Sequence, residues 1–395
     1  MNNSSQQHFD LQNTQRAFAY LSDKQLRRMS KLFKLMGSNA LITLGGKLAK
    51  FSLRLGLPIP YFFKNLLYRQ FCGGENLEEC SAVAQQCAQR KVLINLHYGI
   101  EATDSQESWD HSFNENMKAI AWCAKTKNAI SLSVKMTALI SLEILQKKQE
   151  NQALTHEEES AYNIFKHRID QLSVEAKKAD IAVYYDAEES WIQEEIDHLV
   201  NDLMKRHNKE SATVFNTYQM YRRDKLQDFK DTVNKAAVEG YVVGAKLVRG
   251  AYVVKEARYA EKHQTLNPLH DNKESVDQDF NEAVHFGIDN INQAAMCIGS
   301  HNIRSCERAL AKAKEDAIEL SHPHIVFSQL YGMSDPLSNN LAHYGANVSK
   351  YMPYGRAKYL LPYLIRRAEE NQSVQGQMSR EHQQIHEEIL RRRKG

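Results

Sequence analysis

Hydrophobic and polar positions follow two rhythms along most of this chain. From Val92 onward, short runs rich in β-branched and aromatic residues are followed by longer runs whose apolar residues recur every three or four positions, and this pair of patterns repeats eight times. The first pattern is typical of buried strands and the second of amphipathic helices. The predicted strands are VLINLHYGI, AISLSVKM, IAVYYDAE, TVFNTYQMY, VVGAKLVRG, MCIGSHN, HIVFSQLYG and NVSKYMPYG.

The order of these elements predicts the fold class. Helices are predicted at SFNENMKAIAWCAKT, EEIDHLVNDLMKRH, DFKDTVNKAAVEG, FNEAVHFGIDNINQ and SCERALAKAKEDAI. A further helix is predicted between the second and third strands, and it carries the capping-box pattern Thr155-x-x-Glu158. The charged stretch Gln146 to Gln152 before this helix is interpreted as a surface insertion. Eight alternations predict an α/β fold of the (β/α)8 TIM-barrel type. An open doubly wound sheet is the alternative, but no GxGxxG motif follows a predicted strand.

Three segments are predicted. Residues 1–90 form a helical arm, residues 91–375 the barrel, and residues 376–395 a charged C-terminal helix. Between positions 24 and 74 the arm contains ten Lys or Arg residues and no Asp or Glu.

The arm contains a basic amphipathic helix. It begins at the capping-box pattern Ser22-x-x-Gln25, and its cations lie opposite an apolar stripe. The stripe consists of Leu26, Met29, Leu32, Phe33 and Met36. This arrangement predicts peripheral contact with an anionic membrane. Packing of the same stripe against the main domain is the alternative.

Composition narrows the class and the location. A chain of 395 residues, 42% of them hydrophobic, can bury a large core. The six cysteines have no metal-ligand spacing, which indicates reduced thiols and no metal site. No cleaved signal is evident, the uncharged run Leu55 to Phe63 is too short to span a bilayer, and a net charge of +3 gives no basis for nucleic-acid binding. The predicted location is cytoplasmic, peripheral on the inner membrane; the alternative is the matrix side of the mitochondrial inner membrane.

Reactive side chains gather at the predicted C-terminal strand ends, where TIM barrels place their chemistry. Each could be a satisfied core residue if seen alone, but most strand ends carry one. They are Lys135, Asp186, Glu188, Asn216, Gln219, Lys246, Arg249, Ser300, His301, Gln329 and Tyr351. Cations exceed acids in this set, which suits an anionic substrate and an anionic cofactor. Gly250 and Ala251 let a planar group approach the backbone.

The stretch KYMPYGRAKYLLPYLIRRAEEN predicts a helix after Gly355 that carries an arginine pair. Arg366 and Arg367 follow Tyr363 by three and four positions, so the phenol and the guanidinium of Arg367 share a face. A guanidinium fork grips a carboxylate through two hydrogen bonds. The competing interpretation is a solvated Arg pair beside Glu369 and Glu370.

In these motifs the chain resembles the proline dehydrogenase (proline oxidase) family, in its eukaryotic-type monofunctional branch. The resemblance runs from about Leu93 to Asn371, and its motifs are SVKMTAL, YYDAE, FNTYQMY, GAKLVRGAY, SHN, FSQLYGM, KYMPYG and PYLIRRAEEN. It implies a distorted (β/α)8 barrel that holds FAD noncovalently, with the eighth helix over the barrel mouth.

The resemblance also implies roles for individual residues. The substrate-binding residues would be Lys135, Tyr252, Tyr351, Tyr363, Arg366 and Arg367, with Lys135 and the arginine pair on the carboxylate. Asp186 and Lys246 would be the catalytic pair, with Asp186 holding the arginine side of the pocket and Lys246 near flavin N5. The cofactor-binding residues would be Ala187, Asn216, Lys246, Arg249, Gly250, Ala251, Ser300, His301 and Glu370. Asn216 and Val253 depart from the bacterial pattern, which has glutamine and tryptophan there.

The implied reaction is hydride transfer from C5 of L-proline to FAD, giving Δ1-pyrroline-5-carboxylate, with electrons passed to a ubiquinone-type acceptor. A separate pyrroline-5-carboxylate dehydrogenase would act next. A hydroxyproline dehydrogenase is the nearest alternative, although its family members usually have serine at the position of Tyr351. A flavin-free lyase with Lys135 or Lys246 as Schiff-base nucleophile is a further alternative, and a non-enzymatic membrane protein with a degenerate barrel is another.

Overall fold

Eight parallel strands close into a barrel in chain order, and the last strand pairs with the first. The computed structural model describes residues 9–36, 68, 70–100, 104–356, 359–360, 364 and 377–394. The strands are β1 Leu93–Tyr98, β2 Ala129–Lys135, β3 Ala182–Asp186, β4 Val214–Gln219, β5 Val243–Val248, β6 Ala294–Gly299, β7 Ile325–Leu330 and β8 Val348–Tyr354.

Helices surround the barrel and precede and follow it. They are α1 Thr14–Ala17, α2 Asp23–Met36, α3 Leu77–Ala88, α4 Gln106–Lys125, α5 Leu142–Gln149, α6 His156–Lys178, α7 Ser190–His207, α8 Lys225–Glu239, α9 Val253–His263, α10 Lys273–Asp289, α11 Ile303–Glu315, α12 Asp335–His343 and α13 Gln377–Lys394. A short 3₁₀ turn, Met136–Ala138, follows β2.

The hydrophobic core has an outer and an inner part. Outward-facing strand residues such as Ile94, Leu96 and Val243 pack against the surrounding helices. Inside the barrel a smaller cluster contains Tyr184 and Phe215. Successive residues of a strand face opposite sides, so one set packs against the helices and the other lies inside the barrel. Both faces of the parallel sheet are thereby covered, as is usual for such sheets.

The predicted (β/α)8 barrel is confirmed. All eight strands lie within or overlap the predicted runs, although β6 begins at Ala294, two residues before the predicted run. The capping box is present, because the Thr155 side chain accepts from the Glu158 N–H while the Glu158 side chain accepts from the Thr155 N–H. The helices generally begin earlier than their apolar spacing indicated, since capping residues and polar first turns precede the periodic segment.

The surface-insertion interpretation of Gln146 to Gln152 needs correction in its first half. Residues up to Gln149 belong to α5, whose side packs on α7. The Gln149 amide donates to the Ser190 carbonyl at 3.0 Å and accepts from the Glu194 N–H at 2.9 Å. The first half of this charged stretch is therefore helical. Polar contacts of Gln149 hold it in place, which is why the spacing of apolar residues did not predict it.

The two ends of the chain meet in one cluster of buried side chains, called the terminal cluster below. Its members include Phe18, Leu26, Phe33, Phe71, Met333, Tyr351, Leu360, Leu364 and Ile385. Arg392 of α13 donates to the carbonyls of Phe18 and Leu21 at 2.8 and 2.7 Å. The terminal cluster therefore joins the arm and the C-terminal helix to the β7–β8 side of the barrel.

The described part of the apolar stripe on α2 packs within the protein, as the alternative interpretation predicted, and does not face outward. Leu26 and Phe33 are 0% and 3% exposed, and Met29 and Leu32 pack partly against the terminal cluster. The stripe is covered by the chain itself because α13 lies against α2. The cations Lys24, Arg27, Arg28, Lys31 and Lys34 remain exposed on the other face. Among the described helices none is both long and apolar enough to cross a membrane.

Candidate active site at the barrel mouth

A cavity of about 880 Å³ opens at the C-terminal ends of the strands. Eleven of the residues to which the resemblance gives a role line it: Lys135, Asp186, Ala187, Lys246, Arg249, Gly250, Ala251, Tyr252, Ser300, His301 and Tyr351. These residues come from β2, β3, β5, β8 and the loops after β3, β5 and β6. The barrel therefore gathers residues that lie more than 200 positions apart in sequence.

Asp186 is the central charged group of the site. Its carboxylate accepts from the Lys246 ammonium at 2.5 Å and from the Tyr351 hydroxyl at 2.9 Å. The three residues come from β3, β5 and β8, so these bonds cross the interior of the barrel. Burial opposes a charge on Asp186, but the positive charge of Lys246, aided by that of Lys135, lowers the pKa of Asp186 below its ordinary value. Asp186 is therefore held as a carboxylate.

Lys135 forms a second polar centre. Its ammonium donates to the Tyr252 hydroxyl at 2.8 Å and lies 5.5 Å from the centre of that ring. Burial would lower the pKa of Lys135, but Tyr252, Glu188 and Asp186 outweigh it and raise that pKa. Burial raises the pKa of Tyr252 to about 12. Both groups therefore stay protonated at neutral pH, and together they present hydrogen-bond donors to the cavity.

Glu188 supports this region from below the cavity surface. It accepts from both the backbone N–H and the hydroxyl of Thr137, at 2.9 and 2.6 Å. Burial raises the pKa of Glu188, although Lys135 and the two bonds from Thr137 oppose that effect. The carboxyl fixes the 3₁₀ turn after β2 against the β3 end.

Arg249 dominates the opposite side of the cavity. Its guanidinium donates to Asp277 at 2.6 Å, to Ser300 at 2.9 Å and to Ser305 at 2.8 Å. Its carbon Cζ lies 4.2 Å from the centre of the Phe280 ring. These contacts hold the cation in one place because all three acceptors are themselves fixed on helices or strand ends.

Gly250 has a backbone conformation that only glycine tolerates easily. Its φ is +130°, and a Cβ atom there would lie 2.4 Å from the Tyr221 ring. The chain can therefore turn closely over Tyr221 between Arg249 and Ala251. This turn exposes the backbone of the β5 end to the cavity.

The N-terminus of α11 also faces the cavity. Asn302 caps this helix by accepting from the N–H groups of Arg304 and Ser305, and Asn302, Ile303 and Arg304 all line the cavity. A helix N-terminus with a neighbouring arginine favours phosphate or carboxylate groups.

The sequence of this chain identifies its family. The sequence matches the proline dehydrogenase family over residues 80–380. The chain belongs to the proline dehydrogenase family.

Relatives of several kinds are similar to this family member. Proline dehydrogenase 1, mitochondrial, of Arabidopsis thaliana is 27% identical over 431 residues, covering 97% of this chain and 86% of the relative. The carbapenem antibiotics biosynthesis protein CarD of Pectobacterium carotovorum is 29% identical, covering 82% of this chain and 83% of the relative. Human proline dehydrogenase 1, mitochondrial, is 33% identical over 241 residues, or 60% of this chain and 40% of the relative.

A solved structure supports the fold of this proline dehydrogenase family member. Proline utilization A (PutA) from Bdellovibrio bacteriovorus, inactivated by N-propargylglycine, matches with a TM-score of 0.73 at 21% identity. The match covers 89% of this chain and 41% of the PutA chain, so this chain spans about two fifths of that protein.

One sequence-predicted site residue does not reach the cavity. Asn216 is fully buried, and its amide donates to Asp197 of α7 at 2.9 Å. In a strand, side chains alternate between faces, so Asn216 points to the helices while Thr217 and Gln219 line the cavity or its edge. Asn216 therefore contacts α7 and does not line the described cavity, and its cofactor-binding role stays a prediction. Tyr363, Arg366, Arg367 and Glu370 lie outside the described residues.

The structure adds cavity residues that the sequence interpretation did not assign. They include Thr217, Gln219, Lys273, Asp277, Arg304, Ser328, Gln329 and Arg380. The strand pattern had already placed Gln219 and Gln329 at strand ends, but it gave neither residue a role. Asp277 and Arg380 carried no signal, since both belong to polar helical stretches that look like ordinary solvated faces.

We expect one buried histidine to make the fold sensitive to acid. His97 is 1% exposed, its Nδ1 lies 3.1 Å from the Ser133 carbonyl, and burial lowers the pKa of His97 to about 4. The unfolded chain takes up this proton near pH 6.5, so unfolding free energy falls by up to about 3 kcal/mol as the pH drops from 6.5 to 4. Urea unfolding at pH 7 and pH 4.5 should show a smaller loss in His97→Gln.

The matched control is His167→Gln, which changes an exposed histidine on α6. This control should follow the parent protein at both pH values. An equal pH response in His97→Gln and the parent would contradict a buried neutral His97.

Proposed function

We propose that this family member oxidises L-proline to Δ1-pyrroline-5-carboxylate with FAD as cofactor and a ubiquinone-type electron acceptor. Family membership supports an oxidoreductase that acts on proline. The observation that carries the proposal further is the cavity at the strand ends, where Lys135, Asp186, Lys246 and Tyr351 converge. The size of the cavity lies within the range of ligand pockets that bind cofactors.

The residues present fit FAD. A dinucleotide carries a diphosphate and a flat ring system, so it needs cations or helix N-termini at one end and close access at the other. Arg249, Arg304 and the N-terminus of α11 would hold the diphosphate side. The Gly250–Ala251 turn would accept the flat ring, and Lys246 would lie beside it.

When bound, FAD supplies the two-electron acceptor for the hydrogen at C5 of proline. The protein's part is to bind and orient the ring of proline. Lys135 and the Tyr252 hydroxyl would bind its carboxylate, with the arginine pair Arg366 and Arg367 as further ligands. Tyr351 would wall the ring, because its hydroxyl is anchored on Asp186 and its ring is therefore fixed.

The Asp186–Lys246 pair has a defined electrostatic consequence. A lone buried ammonium would add a full positive charge to the cavity, but Asp186 offsets it at 2.5 Å. Lys246 therefore supplies a local donor beside the ring with little net charge. Among the described residues that line the cavity, six carry a positive charge and three a negative one: Lys135, Lys246, Arg249, Lys273, Arg304 and Arg380 against Asp186, Asp277 and Glu307.

The Schiff-base lyase is disfavoured by the same geometry. A nucleophilic lysine must be neutral when it attacks a carbonyl. Lys246 is ion-paired with Asp186, and the surroundings of Lys135 raise its pKa. The Lys135 amine is therefore held as an ammonium group, and the Lys246 amine is occupied by its contact with Asp186.

The decisive experiment measures bound flavin and turnover together. Purified protein should show one FAD per chain by its visible spectrum and should reduce a soluble quinone analogue with L-proline. Arg366→Met and Arg367→Met should each raise KM for proline by roughly 10- to 100-fold, since each loses a charge-assisted hydrogen bond worth about 1.5–3 kcal/mol, while FAD stays bound.

Arg308→Met is the matched control, because Arg308 is exposed on α11. It should leave KM unchanged. A protein without bound flavin, or without proline-dependent reduction, would overturn the proposed reaction. An unchanged KM in both Arg366→Met and Arg367→Met would remove the arginine pair from the carboxylate site.

Tyr351 is the expected determinant against 4-hydroxyproline. In the proposed site its ring would occupy the space that an extra hydroxyl needs, so Tyr351→Ser should shift the ratio of kcat/KM values toward hydroxyproline. Tyr351→Phe keeps the ring but loses the 2.9 Å bond to Asp186. We expect Tyr351→Phe to lower turnover yet to keep the preference for proline. A ratio that is the same in all three proteins would show that Tyr351 does not select the substrate.

We further propose that the protein meets its quinone at an anionic membrane surface, either a bacterial inner membrane or the matrix side of the mitochondrial inner membrane. The exposed cations of α2 support this contact. Residues 37–67 lie outside the described residues, but their sequence contains further Lys and Arg and no Asp or Glu. The product would pass to a separate pyrroline-5-carboxylate dehydrogenase.

Vesicle co-sedimentation tests the membrane contact. Each Lys or Arg near an anionic leaflet adds about 1 kcal/mol of attraction, so binding should be strong to anionic vesicles at low salt and weak to neutral vesicles or at high salt. The triple change Arg27→Glu, Arg28→Glu and Lys31→Glu should abolish it. Lys235→Glu on α8 is the control. Equal, negligible binding to both vesicle types would sink the hypothesis.

A further inference from the structure

A carboxyl group of the C-terminal helix reaches the cavity through two other residues. Glu381 of α13 is 5% exposed, and it accepts from the Ser334 N–H at 2.6 Å. The Ser334 hydroxyl oxygen lies 2.8 Å from Nδ1 of His301. His301 lines the main cavity and also a hollow of about 20 Å³ that Ser334 and Glu381 share with it. The contacts therefore run without interruption from α13 to the cavity wall.

Hydrogen-bond directions fix the state of the His301 ring. The Leu330 N–H donates to Nε2 of His301 at 3.4 Å. A nitrogen that accepts carries no proton, so in the neutral ring the proton is on Nδ1 and is donated to the Ser334 hydroxyl oxygen. The orientation of His301 thus depends on where Ser334 places its hydroxyl.

Ser334 has an unusual backbone conformation for a serine. Its φ and ψ are 51° and 35°, in the left-handed region, and it stands at the N-cap of α12 without making a side-chain cap bond. Serine at an N-cap ordinarily accepts from the first turn of its own helix. Here the hydroxyl is turned to His301, and the Ser334 N–H is held by Glu381. Strained backbone of this kind persists where the surroundings enforce it and often marks a functional position.

The surroundings of Glu381 are mixed in charge. Asp335 and Lys350 lie close to it and are paired at 2.8 Å, and Arg380 precedes it on the helix. Burial raises the pKa of Glu381 to about 7, with Asp335 adding to the effect and the Ser334 N–H opposing it. Glutamine at this position therefore resembles the neutral acid and keeps an oxygen acceptor for Ser334.

We propose that Glu381 is a positioning residue for the cofactor site, holding Ser334 so that His301 is fixed against bound FAD. This inference rests on the proposed function, because it takes FAD as the ligand of the cavity. It makes docking of α13 a condition for full FAD affinity, although α13 itself need not touch the isoalloxazine ring.

A double-mutant cycle on FAD affinity tests the proposal. The measurement is fluorescence titration of FAD into flavin-depleted protein for the parent, Glu381→Ala, His301→Ala and the double variant. Loss of the positioning bond should weaken FAD binding about tenfold in Glu381→Ala. The double variant should bind no more weakly than His301→Ala, because the effect of Glu381 passes through His301. Glu381→Gln should restore most of the affinity.

Ser334→Gly separates positioning from general stability. Glycine suits the left-handed conformation and keeps the N–H bond to Glu381, so its thermal midpoint should be unchanged or higher. It lacks the hydroxyl, so its FAD affinity should fall about as far as in Glu381→Ala. Glu387→Ala, an exposed change on the same helix, should leave affinity unchanged.

Three results would overturn the proposal. Additive losses in the double variant would show that Glu381 acts independently of His301. Parent-like affinity in Ser334→Gly would show that the hydroxyl positions nothing. A parent protein that takes up no FAD would remove both this inference and the proposed function, whereas tight FAD binding with an additive cycle would remove this inference alone.

Discussion

The buried carboxylate of Asp186 is the constraint on which the barrel mouth depends. A charge taken out of water must be paired, and removing one partner of such a pair is strongly destabilising. Its partners, Lys246 and Tyr351, come from strands on other sides of the barrel. Asp186 is therefore satisfied only when the barrel is closed in the observed register. The folding of the barrel and the assembly of the site are in this sense the same event.

The sequence predicted the scaffold well because the scaffold is encoded locally. Strand period, helix period and the Thr155 capping box are all short-range signals, and each depends on neighbouring residues. Residues at strand ends, such as Lys135 and Arg249, could likewise be placed at one face of the barrel from the strand pattern alone. Topology turns a position along a strand into a position in space.

Partner choice could not be predicted in the same way. Nothing in the sequence shows that Lys135 bonds Tyr252 while Lys246 bonds Asp186, because the distances depend on how the strands are staggered. Asn216 shows why the alternation of side chains along a strand must be considered. Neighbouring positions on β4 face opposite sides, so a shift of one residue moves a side chain from the cavity to the helix layer. The resemblance suggested a role for that position, but the backbone places its side chain against Asp197.

The burial of the terminal segments was harder to predict than the barrel, because α2 and α13 cover each other. The stripe on α2 looks like a lipid-facing surface when considered alone, and α13 looks like a solvated charged helix. In the fold, Leu26 and Phe33 join Ile385 in the terminal cluster, while α13 buries Glu381 and Glu388. Arg391 and Arg392 lower the pKa of Glu388 to about 2 against the effect of its burial. The spacing of an amphipathic helix predicts that its apolar face is covered, but it does not predict which element covers that face. Here the covering helix lies more than 300 residues away in the sequence.

The terminal cluster also reaches the chemistry, because Tyr351 belongs to it and bonds Asp186 at the same time. Tyr351 shares this cluster with apolar residues of the arm and of α13, and its hydroxyl is fixed by the buried charge of Asp186. A wall held from both directions can reject a ligand that is slightly too large, since yielding would expose apolar surface and weaken the pairing of Asp186 at once. The selectivity proposed for Tyr351 would therefore depend on segments that do not belong to the barrel.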